Sequence, residues 1–170
     1  MRTAPTPARV RTSLLVGTVG AVSEPSPWPV IRIDLDHPIT SKSNYRRRPK
    51  SSEWQRHNSF KLTLSAHARA VRPPEWDVGD PESALADRPT VVLVISAVTL
   101  LDTANLSKSV ADAFEGALYV NDASIRMVVS TSVRSRSPQS GTLLLAQLPA
   151  RASLHEMHAA ADFLLNLLND

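Results

Sequence analysis

The chain has 170 residues, 42% of them hydrophobic, with no cysteine and a formal net charge of +3. That length and apolar content suit one domain with a real core and exclude wholesale disorder, while the lack of cysteine excludes disulfides and thiolate metal sites and fits a cytoplasmic protein. The small excess of base is unevenly spread: residues 42–56 hold Lys42, Arg46, Arg47, Arg48, Lys50 and Arg56 against Glu53 alone, a basic block that points to a polyanionic partner.

At the N-terminus, Arg2, Arg9 and Arg11 precede the apolar residues 14–22 (LLVGTVGAV). The order is that of a signal peptide, but glycines and a threonine interrupt the run and it is too short to span a bilayer, so no membrane partner is expected. Residues 23–29 (SEPSPWP) are too rich in proline for a helix interior or a central strand. Residues 1–29 are therefore expected as a flexible leader, with the folded domain starting near Val30.

From Val30 the chain alternates strand and helix patterns. Residues 30–35 (VIRIDL) alternate apolar and polar, as a half-buried strand does. Residues 54–71 have helical spacing, with Phe60, Leu64, His67 or Ala68, and Val71 on one stripe. Residues 72–89 are proline-rich and read as a long loop. Residues 90–97 (TVVLVISA) are apolar and β-branched, the pattern of a central strand covered on both faces. Next comes a helix capped by Asp102 or Thr103, with Leu106, Val110, Ala113 and Phe114 buried and Gly116 ending it in a left-handed conformation. A strand over 123–133, a turn or hairpin loop over 134–141 and a returning strand over 142–148 follow. A capping box at Ser153 and Glu156 opens a last amphipathic helix, with Leu154, Met157, Ala161, Leu164, Leu165 and Leu168 on its apolar face. The sum is an α+β fold in a single domain, a mixed sheet packed with helices.

Residues 101–125 (LDTANLSKSVADAFEGALYVNDASI) carry the chemistry. On a helix from about Ala104, Asn105, Lys108 and Asp112 share one face. Asp102 lies just before that helix, and Asn121 and Asp122 fold back near its start if the strand over 123–133 pairs beside 90–97. A hard cation such as Mg²⁺ needs one or two carboxylates, with water and phosphate oxygens completing its shell. Spacing alone also admits a plainer reading, in which Asp102 is a cap, Lys108 and Asp112 an i,i+4 pair, and Asn121-Asp122 a turn.

The same stretch resembles the signature of the RusA family of Holliday-junction resolvases: D-x-D-N-L-x-K, a helix with a further Asp, then G-x-x-Y-x-D-D and a strand. Here it reads Asp102-Thr103-Ala104-Asn105-Leu106-Ser107-Lys108, then Asp112, then Gly116 to Tyr119, Asn121-Asp122 and Ile125. Upstream, Ser41-Lys42-Ser43-Asn44-Tyr45-Arg46 is similar to the family's S-K-x-N segment. The resemblance covers residues 30–148 and leaves 149–170 as an additional C-terminal helix. It implies a Mg²⁺-dependent endonuclease acting as a homodimer on four-way DNA junctions in recombination and repair. Asp102 and Asp122 would be metal ligands, Lys108 the catalytic lysine, and Asn105, Asp112 and Asn121 supporting residues. Lys42, Asn44, Tyr45, Arg46, Arg47 and Arg48 would contact DNA. Two positions depart from the signature. Asn121 replaces an acid with an amide that still offers oxygen, whereas Ala104 deletes an anionic ligand and is expected to weaken cleavage.

Other motifs carry less. His155 and His158 are three apart, not the four of a zinc-protease helix, and belong to the polar face of the last helix. No glycine-rich phosphate-binding loop is present.

Overall fold

The computed structural model describes residues 26–35, 39–40, 52–99, 101–133 and 141–169. Its strands are β1 (Val30–Leu35), β2 (Thr90–Val98), β3 (Ile125–Val133) and β4 (Gly141–Leu148), and its helices α1 (Ser52–Val71), α2 (Thr103–Phe114) and α3 (Leu154–Asn166). The strands form one mixed sheet in the order β1-β4-β2-β3, with β2 and β3 parallel and the other pairs antiparallel. The fold is α+β.

Strand β2 is central because it has no polar face to offer water. Val91, Leu93, Ile95 and Ala97 enter a core cluster with α1 and α2, while Val92 and Val94 enter a second cluster under α3. A strand apolar on both faces is stable only between two layers, which is the arrangement predicted for it. In α1 the buried stripe is Phe60, Leu64 and Ala68, joined by His57; Ala68 rather than His67 takes the inward position.

The expected hairpin between β3 and β4 does not form. Strand β4 lies between β1 and β2, so β2 separates β3 from it. The physical reason is the composition of β4. Leu143 and Leu145 face one cluster while Leu144, Ala146 and Leu148 face the other, so β4, like β2, needs an interior slot that pairing at the β3 edge would not give. The loop expected over 134–141, with Arg134 and Arg136, lies outside the described residues except for Gly141, which begins β4.

Two expected boundaries also shift. Trp28, assigned to the leader, stacks edge-on against Phe163 with ring centroids 6.2 Å apart, and the Pro29 carbonyl accepts from the Gln147 amide at 3.0 Å. Helix α3 is likewise no appendage. It covers Val92, Val94, Leu144, Ala146 and Leu148 with Ala160, Ala161, Leu164 and Leu167, and each of the valine and leucine side chains is worth about 1.5–3 kcal/mol when buried. Its apolar stripe begins later than predicted, for Leu154 is 62% exposed. The capping box is present: the Glu156 amide donates to Ser153 Oγ at 3.2 Å, and the Ser153 amide donates to Glu156 Oε2 at 2.7 Å. Hydrogen bonding from the Ser153 side chain and backbone holds the Glu156 carboxyl below its usual range. Among the described residues, no helix is long and apolar enough to cross a membrane.

Candidate functional site

Asp102 ends the turn that leaves β2 and sits at the N-cap of α2 in extended backbone. Its Oδ1 accepts the Asn105 amide N–H at 2.8 Å and its Oδ2 accepts the Asn105 side-chain amide at 2.7 Å. The cap satisfies a helix-end donor and sets a negative charge against the positive end of the helix dipole. Ala104 is exposed in the first turn. One turn further on, Lys108 Nζ pairs with Asp112 Oδ1 at 3.3 Å. The lysine side chain is 67% exposed but that of Asp112 only 10%. The predicted polar face of α2 is therefore real, and its groups bond along the helix.

After α2 the chain turns sharply. Gly116 has a φ of 72°, a left-handed conformation that suits glycine, and its amide donates to the Tyr119 carbonyl at 2.8 Å. Tyr119 is buried, with its hydroxyl donating to the Ala111 carbonyl at 2.8 Å. Burial pushes the phenol far above its ordinary range, and the carboxylates of Asp122, Glu115 and Asp112 push it the same way. Asn121 caps a single 3-10 turn over Asp122–Ser124 by accepting the Ala123 amide at 3.1 Å. Asp122 is exposed.

The strand register decides how these groups relate. Val91 pairs with Ile125 and Val98 with Val133, so Asp122 lies where β2 begins and Asp102 just beyond where it ends. At about 3.3 Å per residue, Val91 and Val98 are about 23 Å apart. Asp122 does not fold back to the start of α2 as predicted. Pairing of β3 beside β2 occurs, but in a parallel unit the connecting helix carries the chain to the far end before the next strand begins. Oxygen ligands of Mg²⁺ lie at about 2.0–2.1 Å from the ion, so Asp102 and Asp122 of one chain do not fit a shared cation. Both Asp102 oxygens are moreover engaged by Asn105. Among the described residues, no group of three or more His, Asp or Glu side chains is placed to hold a metal; His155 and His158 belong to no such group. Glu115 and Asp112, rather than Asp102, share an end of the unit with Asp122, since all three act on Tyr119. The predicted DNA contacts Lys42, Asn44, Tyr45, Arg46, Arg47 and Arg48 lie outside the described residues.

Sequence patterns missed two polar constellations. The first anchors the turn after α2: Arg72 Nη1 donates to the Ala117 carbonyl at 2.9 Å and buried Trp76 Nε1 to the Leu118 carbonyl at 2.8 Å. The second is a row across all four strands. Asp34 pairs with Thr142, Thr142 with Ser96, and Ser96 with Thr131. Within it the Thr142 hydroxyl donates to Asp34 Oδ1 at 2.7 Å and Arg32 Nε to Asp34 Oδ2 at 3.1 Å. The row lines a shallow cleft of about 290 Å³. Each strand contributes one polar residue to the row, and only the register aligns them.

No family model matches the chain, and no curated protein matches it. Among solved structures it is similar to the crystal structure of hydrogenase maturation protein HypE, at 14% identity over 77% of this chain and 35% of that one, with a TM-score of 0.29. The complex of HypE with ATP gives 14% identity over 78% and 34%, again with a TM-score of 0.29. The chain thus spans about a third of those proteins, and a likeness at this level carries no argument about fold or function.

Proposed function

We propose that this chain is a RusA-like protein that binds branched DNA by its shape and cleaves four-way junctions weakly or not at all. The family part of the reading rests on the register of Asp102, Asn105, Leu106, Lys108, Gly116, Tyr119 and Asp122 with the resolvase signature. The basic block over 42–56 supports a phosphate-rich partner. The observation that carries the non-catalytic part is the placement of Asp102 and Asp122 at opposite ends of the β2–α2–β3 unit. With Ala104 at the second acid position, Asp102 lacks the neighbouring carboxylate that the resolvase signature sets beside it to hold Mg²⁺.

The test uses a synthetic four-way junction and a linear duplex of the same length. The expected result is preferential retardation of the junction, falling steeply with salt as phosphate contacts release counterions. Added Mg²⁺ is expected to give little or no nicking by the wild type. Robust Mg²⁺-dependent nicking, abolished by Asp102→Asn or Lys108→Ala, would instead establish the full endonuclease and overturn the impaired reading. Equal binding of junction and duplex would overturn both.

A further inference from the structure

The row of Asp34, Thr142, Ser96 and Thr131 lies on the α3 face of the sheet, two residues further along the strands than Val94 and Leu144, which α3 covers. A hydroxyl carries one proton and two lone pairs, and in this row two of the protons are already spent. Thr142 gives its proton to Asp34 Oδ1 at 2.7 Å, and Thr131 gives its own to the Ile95 carbonyl at 3.3 Å. An ionised carboxylate and a carbonyl only accept, so the direction of both bonds is fixed. Asp34, Thr142 and Thr131 therefore offer a ligand lone pairs and no proton.

The charge points the same way. Asp34 is the one charged residue among the described residues that line the cleft. Arg32 holds its carboxylate at 3.1 Å without lining the cleft, and Arg32 Nη1 donates to the Leu167 carbonyl at 2.9 Å, at the negative end of α3. An ionised carboxylate accepts about four hydrogen bonds, so Arg32 and Thr142 fix the orientation of Asp34 without exhausting it. Beyond the row the lining is aliphatic, with Leu35, Val98 and Val133. Its volume of about 290 Å³ is at the small end of ligand cavities, which run from about 300 to 1,000 Å³.

We propose that this cleft binds a short aliphatic primary amine in its ammonium form, with its N–H groups on Asp34 and Thr142 and its alkyl stem along Val98 and Val133. An ammonium has three donors and no acceptor, the complement of what the row presents. Asp34 Oδ1 and Thr142 Oγ1 are 2.7 Å apart, so one nitrogen donating over about 2.9 Å reaches both. The bond to Asp34 is charge-assisted, and such bonds are about twice as strong as neutral ones. The stem meets the aliphatic pair Val98 and Val133, neighbours across β2 and β3. An anion is turned away, since a phosphate or carboxylate would bring lone pairs and negative charge to Asp34. The assignment does not rest on the DNA reading, because neither its argument nor its test involves nucleic acid.

The test is a titration of the isotope-labelled full chain with n-butylammonium chloride at millimolar concentration, followed by the backbone amide signals. Saturable shifts are expected at Asp34, Ser96, Val98 and Thr142. Two controls separate the causes: 1-butanol keeps the stem without charge, and tetramethylammonium keeps the charge without an N–H donor. Both are expected to bind at least about tenfold more weakly. Asp34→Asn, which keeps the shape and removes the charge, should weaken n-butylammonium by at least about tenfold. Thr142→Val, which removes one acceptor from a side chain of the same size, should weaken it by a smaller factor and serves if the first variant does not fold. Absence of saturable shifts, equal binding of either control, or undiminished binding by the folded variants would each overturn the proposal. Binding of N-acetyl-lysine N-methylamide more tightly than n-butylammonium would assign the cleft to a lysine side chain of another protein, and overturn the free amine as its ligand.

Discussion

The two ends of the β2–α2–β3 unit are built differently. Where β2 hands over to α2, the hydrogen bonds seen among the described residues are local: Asp102 accepts from Asn105, three residues along. Where α2 hands over to β3, they are long-range: Arg72 and buried Trp76 reach 45 and 42 residues along the chain to the Ala117 and Leu118 carbonyls, and buried Tyr119 closes on Ala111. Among the described residues, the most conspicuous motif acid thus bonds within its own turn, while the other end is tied to distant parts of the chain. A residue that stands out in sequence marks local chemistry, and the heavier structural duty falls on residues whose partners are far away.

Substitutions at the two ends can break that contrast. Trp76→Ala removes a buried ring and its hydrogen bond and is expected to cost about 3–5 kcal/mol in urea unfolding; a cost no larger than that of Asp102→Ala would erase the distinction. Tyr119→Phe should cost about 1 kcal/mol from the lost hydroxyl bond. It should also change the alkaline limb of stability. The folded state keeps this phenol protonated, so its contribution is complete below the ordinary tyrosine value of about 10 and is lost as pH rises through the folded one. Wild type should therefore lose stability above pH ~10 more steeply than Tyr119→Phe, as thermal unfolding against pH would show. At the other end, Asp102→Ala should cost about 1 kcal/mol and Asp102→Asn much less, because asparagine caps nearly as well. Equal losses would mean that the charge, not the cap, is what matters there. Smallest of all, Lys108→Ala should change stability by under about 0.5 kcal/mol, since the pair is exposed on its lysine side; a double-mutant cycle with Asp112→Ala measures it.

Much of the local structure was legible because it follows from short-range rules. The Asp102 cap, the Ser153–Glu156 box, the left-handed Gly116 and the Leu106–Val110–Phe114 stripe each depend on residues within four or five positions, and each formed as read. The inference from Asp102 to Asp122 failed for a different reason. It needed the direction of β3 relative to β2, and a parallel pair carries the second acid to the far end of the helix. The order β1-β4-β2-β3 was equally hidden, since the chain gives β4 two apolar faces but does not name its neighbours. Trp76 lay unmarked in a proline-rich loop because its partner, the Leu118 carbonyl, is a backbone group that no side-chain motif can signal.

By itself the sequence determined the class of fold, the extent of most elements and which of their faces are apolar, because hydrophobic period and capping act over one or two turns. Only the tertiary structure decided which strands are neighbours, that α3 is a wall of the core, and that Asp102 and Asp122 stand at opposite ends of one unit. Those outcomes are set by burying every two-faced strand at once, a condition on the whole molecule that no single segment contains.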